Sequence, residues 1–478
     1  MKLSEIIYKD EYILSEIDSN TEFTEITTSV EKVTEDSILL LPSSSKEYLR
    51  SGNALPIAII CDVNAHIPNN IPSIRVENIR KFIANAYYRF NHLSDSKMKI
   101  IGITGTNGKT STATFIKSIL RDAGYKVGFI GTGMIEIAGE SIGGKQYSMT
   151  TPDPSLLYNI MKEMDQKGCE VLIMEVSSHA LALHKVAPIT FDYGIFTNLS
   201  SEHLDFHGNI DDYYLAKKSM FSQCRVGVFN LDDEYAKRAF EECRSRKLST
   251  GVLWRGDTWV SSLQNNGLNG ISYIFNQRHF SFKVDLRTAG TYNVYNSMMA
   301  AAVCIDMGCK PCLVKKSLEN VVSIPGRFEI INDEITVIID YAHTEAAFLN
   351  IMKNLHEIKK GNKLTVIFGC GGERDREKRP KMAEIAERFA DKIVITTDNS
   401  RGENPKDIIC DIIRGIKEKS VTVNENRKNA ITECIVEATP GEIIAIIGKG
   451  CEKYTIDKDG YHDFDERAII NDALKLRK

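Results

Sequence analysis

Short apolar runs and one amphipathic stretch occupy the first 97 residues of the chain. The runs Ser37–Leu41 and Ile57–Cys61 have the length and composition of buried strands, and Val76–Phe90 has its apolar residues at helical spacing. The polar run His92–Lys97 follows and is typical of a linker. These patterns predict a small N-terminal α/β domain over residues 1–97.

From Met98 onward, apolar strand-like runs alternate with helix-like segments, which is typical of parallel βαβ units. Between Gly270 and Asp285 the period shifts towards two, which predicts antiparallel strands added to the sheet, and Gly290–Met307 is typical of a helix. The predicted parallel strands are Lys99–Ile103, Lys126–Ile130, Val171–Glu175, Tyr193–Thr197 and Val226–Asn230. A central domain over residues 98–324 follows.

A second alternating series begins after Pro325-Gly326 and predicts a third, open α/β domain over residues 325–478. Its predicted strands are Thr336–Asp340, Leu364–Phe368, Lys392–Thr396, Val421–Val423 and Glu442–Ile447. This region has no G-x-G-x-x-G sequence, so nothing local indicates a bound dinucleotide.

The composition is that of a soluble globular protein, with 42% hydrophobic and 26% charged residues and a formal net charge of −4. Acids and bases are interspersed, which predicts no nucleic-acid partner. No apolar run approaches the roughly 20 residues needed to cross a bilayer, and the N-terminus carries acids where a signal peptide has bases. We expect a cytoplasmic monomer without a membrane partner.

The eleven cysteines are scattered along the chain. Cys61, Cys304, Cys410 and Cys434 lie in apolar segments and are predicted to be small buried residues. Cys309-Lys-Pro-Cys312 is a C-x-x-C pair, but no second pair completes a zinc site. A redox or metal role is therefore not favoured.

A phosphate-binding turn follows the first predicted strand of the central domain. Thr104-Gly-Thr-Asn-Gly-Lys-Thr110 leads into a helix-like segment, so that backbone N–H groups and the helix N-terminus face an anion. Lys109 can reach the β- and γ-phosphates, and the Thr110 hydroxyl can bind Mg²⁺. The match to the P-loop motif is imperfect, because strict spacing would place a glycine at Ile103. The alternative to a phosphate-binding turn is a Gly-Lys-Thr turn that occurs by chance. The context favours ATP.

Two later strand ends carry candidate metal ligands. Glu175 ends a buried-type strand beside the phosphate-binding turn, where a metal ligand is needed. The alternative is a glutamate that caps a helix or forms a salt bridge. His203-Leu-Asp205-Phe-His207 is compatible with a transition-metal site, or with a loop that gives one ligand to a Mg²⁺ held by ATP. The phosphate-binding turn favours the second interpretation, in which Asp205 and His207 cap or orient the loop as readily as they bind.

Together these motifs resemble the central domain of the Mur ligases, with Lys217 at a position that is carbamylated in that family. Lys218 is the alternative register. The resemblance implies a P-loop ATPase-like central domain between a small N-terminal domain and a Rossmann-like C-terminal domain. It also implies that ATP is bound by Gly105, Thr106, Asn107, Gly108, Lys109 and Thr110. Two Mg²⁺ ions would be held by Thr110, Glu175, His203 and Lys217 as N6-carboxylysine.

Further matches extend through the third domain. Gly290-Thr-Tyr-Asn293-Val-Tyr-Asn296 is similar to the family's adenine-side segment, Gly326-Arg327 to its arginine motif, and Asp340-Tyr-Ala-His343 to a nucleotide-facing strand end. An arginine from a separate domain neutralises phosphate charge only after closure. The resemblance implies cofactor contacts from Asn293, Asn296, Asp340 and His343, and catalytic roles for Lys109, Lys217 and Arg327.

Four segments resemble the MurE type, which adds the third residue to UDP-N-acetylmuramoyl-L-alanyl-D-glutamate during peptidoglycan precursor synthesis. They are Thr150-Thr-Pro-Asp-Pro154, Gly369–Pro380, Asp398-Asn-Ser-Arg401 and Gly448-Lys-Gly-Cys-Glu452. The resemblance implies an ADP-forming amide ligase whose substrates are a nucleotide-sugar peptide and an amino acid, joined through an acyl phosphate. The implied substrate contacts are Thr150, Thr151, Ser177, Lys185, Arg374, Asp398, Asn399, Ser400, Arg401, Gly448 and Glu452.

The incoming amino acid is expected to be meso-diaminopimelate. Family members that add it carry Asp-Asn-Pro-Arg, whose arginine grips the distal carboxylate, whereas lysine-adding relatives lack that arginine. This chain keeps Arg401 but has Ser400 in place of proline, which leaves φ unfixed in the turn. L-lysine therefore stays an alternative.

The first domain departs from the family pattern. The family's uridine-side Asp-Ser-Arg matches only Ser29-Val30-Glu31, and Leu183 and Lys185 stand where glutamine and arginine are expected. An added acid and a lost bidentate arginine are unfavourable for binding a diphosphate. Two alternatives stay open: a ligase with an acceptor that lacks UDP, and a non-catalytic ATP-binding scaffold protein.

Overall fold

The computed structural model describes residues 1–8, 10–42, 54–67, 71–142, 149–332 and 334–477. Three separate sheets of five, eleven and six strands form the cores of successive α/β regions along the chain, and a two-stranded hairpin adjoins the last of them. This architecture confirms the predicted α/β class with its mainly parallel sheets.

The first region is a five-stranded sheet of order β1-β5-β4-β3-β2, in which β1 is antiparallel to the rest. One helix packs on it. That helix begins later than the predicted Val76, because Val76 ends β5 and the Asn78 side chain caps the helix by accepting the Lys81 N–H at 3.0 Å. The elements are β1 (Tyr12–Ser15), β2 (Glu25–Thr27), β3 (Ser37–Leu41), β4 (Ala58–Asp62), β5 (Ser73–Val76) and α1 (Ile79–Phe90).

The predicted linker His92–Lys97 contains a single 3-10 turn, Leu93–Asp95, rather than an extended spacer. Leu93 is buried in the core shared by the first two regions, and the Ser96 hydroxyl donates to Asp165 at 2.5 Å. The connection is therefore packed against the central sheet.

The central sheet has eleven strands in the order β16-β15-β14-β13-β12-β11-β6-β10-β7-β8-β9. Its middle is parallel, and an antiparallel hairpin extends each side, including the predicted pair within residues 270–285. The strands are β6 (Lys99–Thr104), β7 (Val127–Gly131), β8 (Met134–Ile137), β9 (Glu140–Ile142), β10 (Val171–Glu175), β11 (Phe191–Phe196), β12 (Cys224–Asn230), β13 (Arg246–Gly251), β14 (Thr258–Asn265), β15 (Ile271–Gln277) and β16 (Phe280–Leu286).

Helices cover both faces of this sheet, and the tightest helix pair joins the helix after β6 to the helix after β16. The helices are α2 (Lys109–Asp122), α3 (Pro154–Gln166), α4 (Ser178–Ala182), α5 (Leu204–His207), α6 (Ile210–Ser219), α7 (Glu234–Glu242), α8 (Tyr292–Asp306) and α9 (Pro311–Asn320). Because β6, β10, β11 and β12 are parallel, the loops that carry the predicted site residues leave from one edge of the sheet.

The third region is a six-stranded sheet of order β17-β18-β22-β19-β20-β21 in which β17 alone is antiparallel. Its elements are β17 (Glu329–Asn332), β18 (Thr336–Asp340), α10 (Glu345–Ile358), β19 (Leu364–Phe368), α11 (Lys378–Phe389), β20 (Lys392–Ile395), α12 (Pro405–Ile413), β21 (Val421–Val423), α13 (Arg427–Glu437), β22 (Ile443–Ile447), β23 (Tyr454–Asp457), β24 (Gly460–Asp463) and α14 (Glu466–Arg477). The β23–β24 hairpin was not predicted from the sequence.

All eleven cysteines are free thiols. Cys61, Cys304 and Cys434 are buried as predicted, but the prediction for Cys410 is wrong, because it lies on the exposed side of α12. Across the described stretches of chain, no three His, Cys, Asp or Glu side chains come close enough to form a metal site on their own, and no helix combines the length and hydropathy of a membrane span.

Candidate active site

The turn between β6 and α2 can be made only with glycines. Gly105 and Gly108 have φ angles of 140° and 87°, in the region that other residues rarely adopt. A Cβ atom on Gly105 would lie 1.9 Å from the Thr197 hydroxyl, and one on Gly108 would lie 2.4 Å from the Asn296 carboxamide oxygen. The backbone is thus packed against two neighbouring segments, which fixes the direction of its N–H groups.

A second loop, which follows β11, supports this turn. The Asn107 N–H donates to the Asn198 side chain and the Thr106 N–H to the Asn198 carbonyl, both at 2.9 Å. The Thr197 hydroxyl donates to the Asn107 carbonyl at 2.6 Å, and the Ser200 N–H donates to the Thr106 hydroxyl at 3.0 Å. The two loops therefore form one rigid unit at the carboxyl edge of the sheet.

Lys109 is the first residue of α2, and its ammonium lies over the turn. Its Nζ donates to the carbonyls of Gly105 and Thr106 at 2.8 Å each. Burial lowers the pKa of Lys109, while the carboxylates of Glu175 and Glu202 act in the opposite direction. The cation is within reach of any anion held by the turn.

Glu175 is fully buried at the end of β10 and receives two hydroxyl hydrogen bonds. The Thr110 hydroxyl donates to one carboxylate oxygen at 2.7 Å, and the Thr132 hydroxyl donates to the other at 2.9 Å. Among the described side chains it forms no ion pair, and it caps no helix. Oxygen atoms of this kind are the ligands that Mg²⁺ prefers.

The predicted acceptor-side residues lie directly beside Glu175. The Thr150 hydroxyl is 2.9 Å from that of Thr132, and the Thr151 hydroxyl donates to the Glu175 carbonyl at 2.9 Å. Ser177 caps α4, with its hydroxyl accepting the Ala180 N–H at 3.1 Å. These three residues join the phosphate-binding turn to the start of α4.

His203 lies in the loop after β11 with a left-handed φ of 57°. Its ring centroid is 4.8 Å from that of His179, and its Nε2 is 3.7 Å from the Glu202 carboxylate. Burial and the nearby cations, including Lys217, outweigh Glu202 and lower the pKa of His203 to about 4. A neutral imidazole is the form that binds a metal.

The structure does not support a separate transition-metal site built from His203-Leu-Asp205-Phe-His207. His207 on α5 lies with its Nε2 3.0 Å from the Ser178 hydroxyl, which ties α5 to α4. The side chain of Asp205 lies outside the described residues. His207 thus orients the loop, which was one of the two roles that the sequence left open.

Lys217 is almost completely buried on α6, with 2% of its surface exposed. Its Nζ donates to the Gly105 carbonyl at 3.0 Å and lies 4.5 Å from the centre of the Tyr213 ring. Burial, reinforced by the charge of Lys109, holds the pKa of Lys217 well below its usual value. Lys218, the register alternative, is partly exposed and forms an ion pair with Glu242.

Arg327 reaches the central region from the turn before β17. Its guanidinium donates to the Thr110 hydroxyl at 3.4 Å and lies 4.4 Å from the centre of the Tyr341 ring. Asp340 holds this turn by accepting the Phe328 N–H at 2.7 Å, and burial raises the pKa of Asp340. Thr110 therefore contacts Glu175, at the end of a central strand, and Arg327 of the third region.

His343 makes a second contact between the two sheets, because its Nε2 lies 3.1 Å from a carboxylate oxygen of Glu202. Burial would raise the pKa of Glu202, but the bond to His343 and the neighbouring cations hold it well below its usual range. The sequence predicted His343 but missed Glu202, because an acid in a polar loop carries no spacing signal.

Asn293 and Asn296 are 1% and 3% exposed, at the start of α8 and behind the phosphate-binding turn. The Asn296 carboxamide accepts the Thr112 hydroxyl and donates to Asn293, both at 3.3 Å, and the Asn293 amide donates to Ala289 at 2.7 Å. The structure therefore places both side chains in contacts that support the turn.

The turn Asp398–Arg401 follows β20 and is fixed from two sides. Arg401 has a left-handed φ of 52°, its N–H donates to the Ile456 carbonyl at 3.0 Å, and its guanidinium donates to Gly372 at 2.8 Å and Asn399 at 3.2 Å. Ser400 is buried, so the turn is held without the proline that would fix φ. These contacts fix the position of the Arg401 guanidinium within the protein.

Within the described residues, the guanidinium groups of Arg374 and Arg401 donate side-chain hydrogen bonds only to backbone carbonyls. Arg374 is exposed and donates to the Glu373 carbonyl at 2.9 Å. Burial and the charge of Arg374 lower the pKa of Arg401. Because the two cations influence each other and neither has a carboxylate partner in the described chain, they are suited to an anion.

Glu452 lies between these arginines and the phosphate side. One of its oxygens accepts the Tyr341 hydroxyl at 3.3 Å, and the other accepts the Asn399 amide at 2.9 Å. Gly448 has a φ of 126°, and a Cβ there would lie 2.7 Å from the Asp398 carboxylate. Tyr341 thus connects Arg327 to Glu452, and the sequence did not identify it.

Lys185, the last of the predicted substrate-binding residues, follows α4. Its Nζ forms an ion pair with Asp153 at 2.7 Å, and its carbonyl accepts the Tyr158 hydroxyl at 2.7 Å. The ammonium, with its side chain 12% exposed, is therefore already partnered within the chain.

Comparisons with known proteins agree with this geometry. Models of the Mur ligase middle domain and of the Mur ligase glutamate ligase domain match residues 103–304 and 326–450. The UDP-N-acetylmuramoyl-L-alanyl-D-glutamate--2,6-diaminopimelate ligase 1 of Clostridium acetobutylicum is 36% identical over 99% of each chain. The corresponding ligase of Aquifex aeolicus is 37% identical over 86% of this chain and 85% of its own.

A solved structure of a UDP-N-acetylmuramoyl-L-alanyl-D-glutamate--2,6-diaminopimelate ligase has a TM-score of 0.69 and 25% identity, covering 100% of this chain and 99% of its own. The folylpolyglutamate synthase of Mycobacterium tuberculosis, complexed with ADP and AMPPCP, shares the fold, with a TM-score of 0.64 and 18% identity over 77% of this chain and 92% of its own. With relatives of this identity along nearly its whole length, the chain belongs to the Mur ligase family.

Proposed function

We propose that this chain adds a diaminopimelate-like amino acid to UDP-N-acetylmuramoyl-L-alanyl-D-glutamate and forms ADP. Members of the family are ATP-dependent ligases, and the relatives aligned along most of this chain are named for that reaction. The observation that carries the proposal is the link through Tyr341. This residue contacts Arg327, which reaches the phosphate-binding turn, and Glu452, which lies beside Asn399 and the turn that carries Arg401.

In the first step the acceptor carboxylate attacks the γ-phosphorus of ATP, and the bond to the bridging oxygen of ADP breaks. Lys109 and Arg327 face the phosphate-binding turn from opposite domains, so they are placed to neutralise the charge on the transferred group. The nucleophile is the substrate's own carboxylate, which explains why no activated serine or cysteine is required.

In the second step the amine attacks the acyl phosphate. A nitrogen–carbon bond forms, the carbon–oxygen bond to phosphate breaks, and one proton leaves the nitrogen. The contribution of the third region is to hold the amino acid so that its amine meets the acyl carbon, which is a proximity effect. A 2.9 Å hydrogen bond from the Asn399 amide to the Glu452 carboxylate fixes the two side chains relative to each other.

The residues around the turn fit Mg²⁺. Glu175 offers a carboxylate that accepts two hydroxyl hydrogen bonds, Thr110 offers a hydroxyl, and the lowered pKa of His203 favours its neutral imidazole. When bound, the metal supplies positive charge that neutralises the phosphates. Two ions would be held by Thr110, Glu175, His203 and the carbamate of Lys217.

Lys217 fits carbamylation because only a neutral amine reacts with carbon dioxide. Its lowered pKa increases the fraction of neutral amine, and the product would replace a buried amine by an anionic metal ligand. The amine adds to the carbon atom of carbon dioxide and releases one proton. The partly exposed, ion-paired Lys218 lacks these features.

The choice of diaminopimelate rests on Arg374 and Arg401. Their guanidiniums donate only to carbonyls within the described chain, so a distal carboxylate would supply the missing counter-charge. Lysine has no such group, and its ammonium would meet two like charges.

A second candidate is a ligase whose acceptor lacks UDP, and one observation favours it. Glu31 is exposed in the 3-10 turn that matches the family's uridine-side segment, and Lys185, which stands where the family pattern has an arginine, is already paired with Asp153. Both features lower the attraction for a diphosphate. Thermal-shift measurements with UDP and UMP address this point, since binding to the folded state alone raises the melting temperature.

The decisive experiment is a substrate matrix. Acceptors with and without the UDP group are each combined with meso-diaminopimelate, L-lysine or L-glutamate, and both ADP release and the amide product are measured. We expect ADP and amide only with the UDP acceptor and diaminopimelate. Product with a UDP-free acceptor would select the second candidate, and preference for lysine would remove the role of Arg401. Nucleotide binding without ADP release in any combination would indicate a scaffold protein.

A further inference from the structure

Lys449 is a charged side chain that neither the proposed mechanism nor the sequence motifs assigned. It lies in the loop after β22 and is fully buried, with 0% of its surface exposed. Its Nζ donates to the Asn399 carboxamide oxygen at 2.9 Å and lies 3.4 Å from a Glu452 oxygen and 3.9 Å from an Asp398 oxygen. A buried ammonium requires such partners, because its desolvation is otherwise very unfavourable.

The three partners of Lys449 are all residues proposed to contact the amino acid. Asn399 uses its amide to donate to the same Glu452 oxygen, at 2.9 Å, so that lysine, amide and carboxylate form a closed triangle. The Asn399 oxygen also accepts the Ile456 N–H at 3.0 Å, which ties the triangle to the β23–β24 hairpin. The triangle therefore joins the loop after β20 to the loop after β22, with Asn399 and Lys449 50 positions apart in the sequence.

The charges around Lys449 leave one negative charge for a ligand. Asp398 and Glu452 contribute two carboxylates and Lys449 one ammonium, while the neighbouring Arg427 is matched by Glu466 at 2.6 Å. One net negative charge beside the guanidinium of Arg401 complements an amino-acid centre that carries both an ammonium and a carboxylate. Diaminopimelate has such a centre at its distal end, whereas lysine has only the ammonium there.

We propose that Lys449 is a positioning residue for the amino-acid substrate, which locks Asn399 to Glu452 and sets the net charge of this subsite to that of a single carboxylate. The proposal rests on the proposed function. Without the ammonium, Asp398 and Glu452 lose the cation that lies within 4 Å of both, and the Asn399 oxygen loses a charged donor. The subsite would then bind the amino acid poorly, although the phosphate side would be unchanged.

The test is Lys449→Met, which keeps the length of the side chain and removes its charge. We expect the KM for the amino acid to rise by roughly tenfold or more, the loss typical of a broken buried charge-assisted contact. The KM for ATP should stay within about twofold, because it depends on a different sheet. The matched control is Lys453→Met, whose side chain is 80% exposed and pairs only with Asp465 in the described chain.

A pH profile separates positioning from a general structural role. Burial would raise the pKa of Asp398, but Lys449, Arg427 and His343 together hold it below its usual value. Removing Lys449 removes one of these cations, so the pKa rises and the acidic limb of kcat/KM for the amino acid moves to higher pH. An unchanged limb with a raised KM would overturn the charge assignment.

Two further measurements keep the proposal distinct from misfolding and from failure of the proposed function. Isotope exchange within ATP in the presence of acceptor alone reports acyl phosphate formation, and it should be unaffected in Lys449→Met. If the wild type shows no such exchange, the proposed function fails; if only the variant loses it, the positioning role fails. In a double-mutant cycle with Asn399→Ala, the two effects should be less than additive, and strict additivity would also overturn the proposal.

Discussion

Lys217 is a buried cation whose described partners are a carbonyl and an aromatic ring, an arrangement that favours conversion to an anion. Lys217→Ala should lose most ADP-forming activity, because one ligand of the second metal disappears. Formate or acetate, which can occupy the space of the carbamate, should restore part of it. Activity is measured as ADP release with saturating acceptor and amino acid. Full activity in the alanine variant without added carboxylate would contradict the assignment.

The adjacent lysine is the control for this prediction. Lys218→Ala removes a partly exposed ammonium paired with Glu242 and should leave turnover close to that of the wild type. Carbon-13 NMR after equilibration with labelled bicarbonate should show one carbamate signal that Lys217→Ala removes and Lys218→Ala keeps. The lowered pKa of Lys217 means that this signal should persist to lower pH than for a solvent-exposed lysine.

Arg401 gives the sharpest test of the amino-acid specificity. Its left-handed backbone is unfavourable for a residue other than glycine, so the surrounding structure must stabilise this conformation. Hydrogen bonds to the Gly372 and Asn399 carbonyls hold the guanidinium. Arg401→Ala should raise the KM for diaminopimelate by the equivalent of about 2–5 kcal/mol, with much less effect on the KM for ATP. Lys406→Ala, an exposed cation of the same region, is the control. A wild-type preference for L-lysine would refute the role of Arg401.

The sequence identified the residues that local motifs carry, and it missed those defined by distant contacts. Lys109, Thr110 and Glu175 follow from strand–turn–helix spacing, and the structure joins the last two by a 2.7 Å hydrogen bond. Tyr341 contacts Glu452 across 111 positions of sequence, and Lys449 contacts Asn399 across 50, so their roles depend on loops that are distant in the sequence. No periodicity within one segment records such a meeting.

At the scale of elements, the buried parallel strands and the antiparallel pair within residues 270–285 were predictable, whereas β14 and the β23–β24 hairpin were not. The parallel strands are continuous apolar runs because helices cover both faces, as in β10 and β22, where every residue is buried. In β14, by contrast, the last five residues are exposed, and β24 is exposed over three of its four residues. Strand residues with little burial carry no hydrophobic pattern, so these sequences resemble loops.

The phosphate-binding turn yields a prediction at this scale. Gly108→Ala should weaken ADP binding by roughly tenfold or more and lower the melting temperature, because the new methyl group adds a clash with Asn296 to the strained φ. Gly124→Ala is the matched control. It has a similar φ of 90° at the other end of α2 but nothing within 4 Å of the added atom. Calorimetric titration with ADP should therefore separate the two variants, and equal affinities would show that the contact with Asn296 is unimportant.

At the scale of the whole molecule, the central and third regions meet through polar contacts around the phosphate-binding turn and through apolar contacts of Leu268, Ala289 and Tyr292 with the core of the third region. Arg327 donates to Thr110, and His343 contacts Glu202. Thr110 lies at the start of α2 and Glu202 in the loop after β11, and each contacts a loop at the edge of the third sheet. Under the proposed function, the arginine that would neutralise phosphate charge comes from the third region, so we expect the transfer step to require contact between the two regions.

This coupling predicts the behaviour of Arg327→Ala. The guanidinium contacts the hydroxyl of Thr110 and not the glycine turn itself, so loss of the side chain should leave ADP affinity within a few-fold of the wild-type value. The rate of acyl phosphate formation should fall by about 10²–10³-fold, the effect seen when one group that stabilises transition-state charge is removed.

Single-turnover ADP formation measures the rate, and calorimetry measures the affinity. Arg388→Ala, an exposed arginine of the third region that lies over Phe389, should change neither. If Arg327→Ala reduced ADP affinity as much as the rate, the arginine would act in nucleotide binding and not in the transfer step.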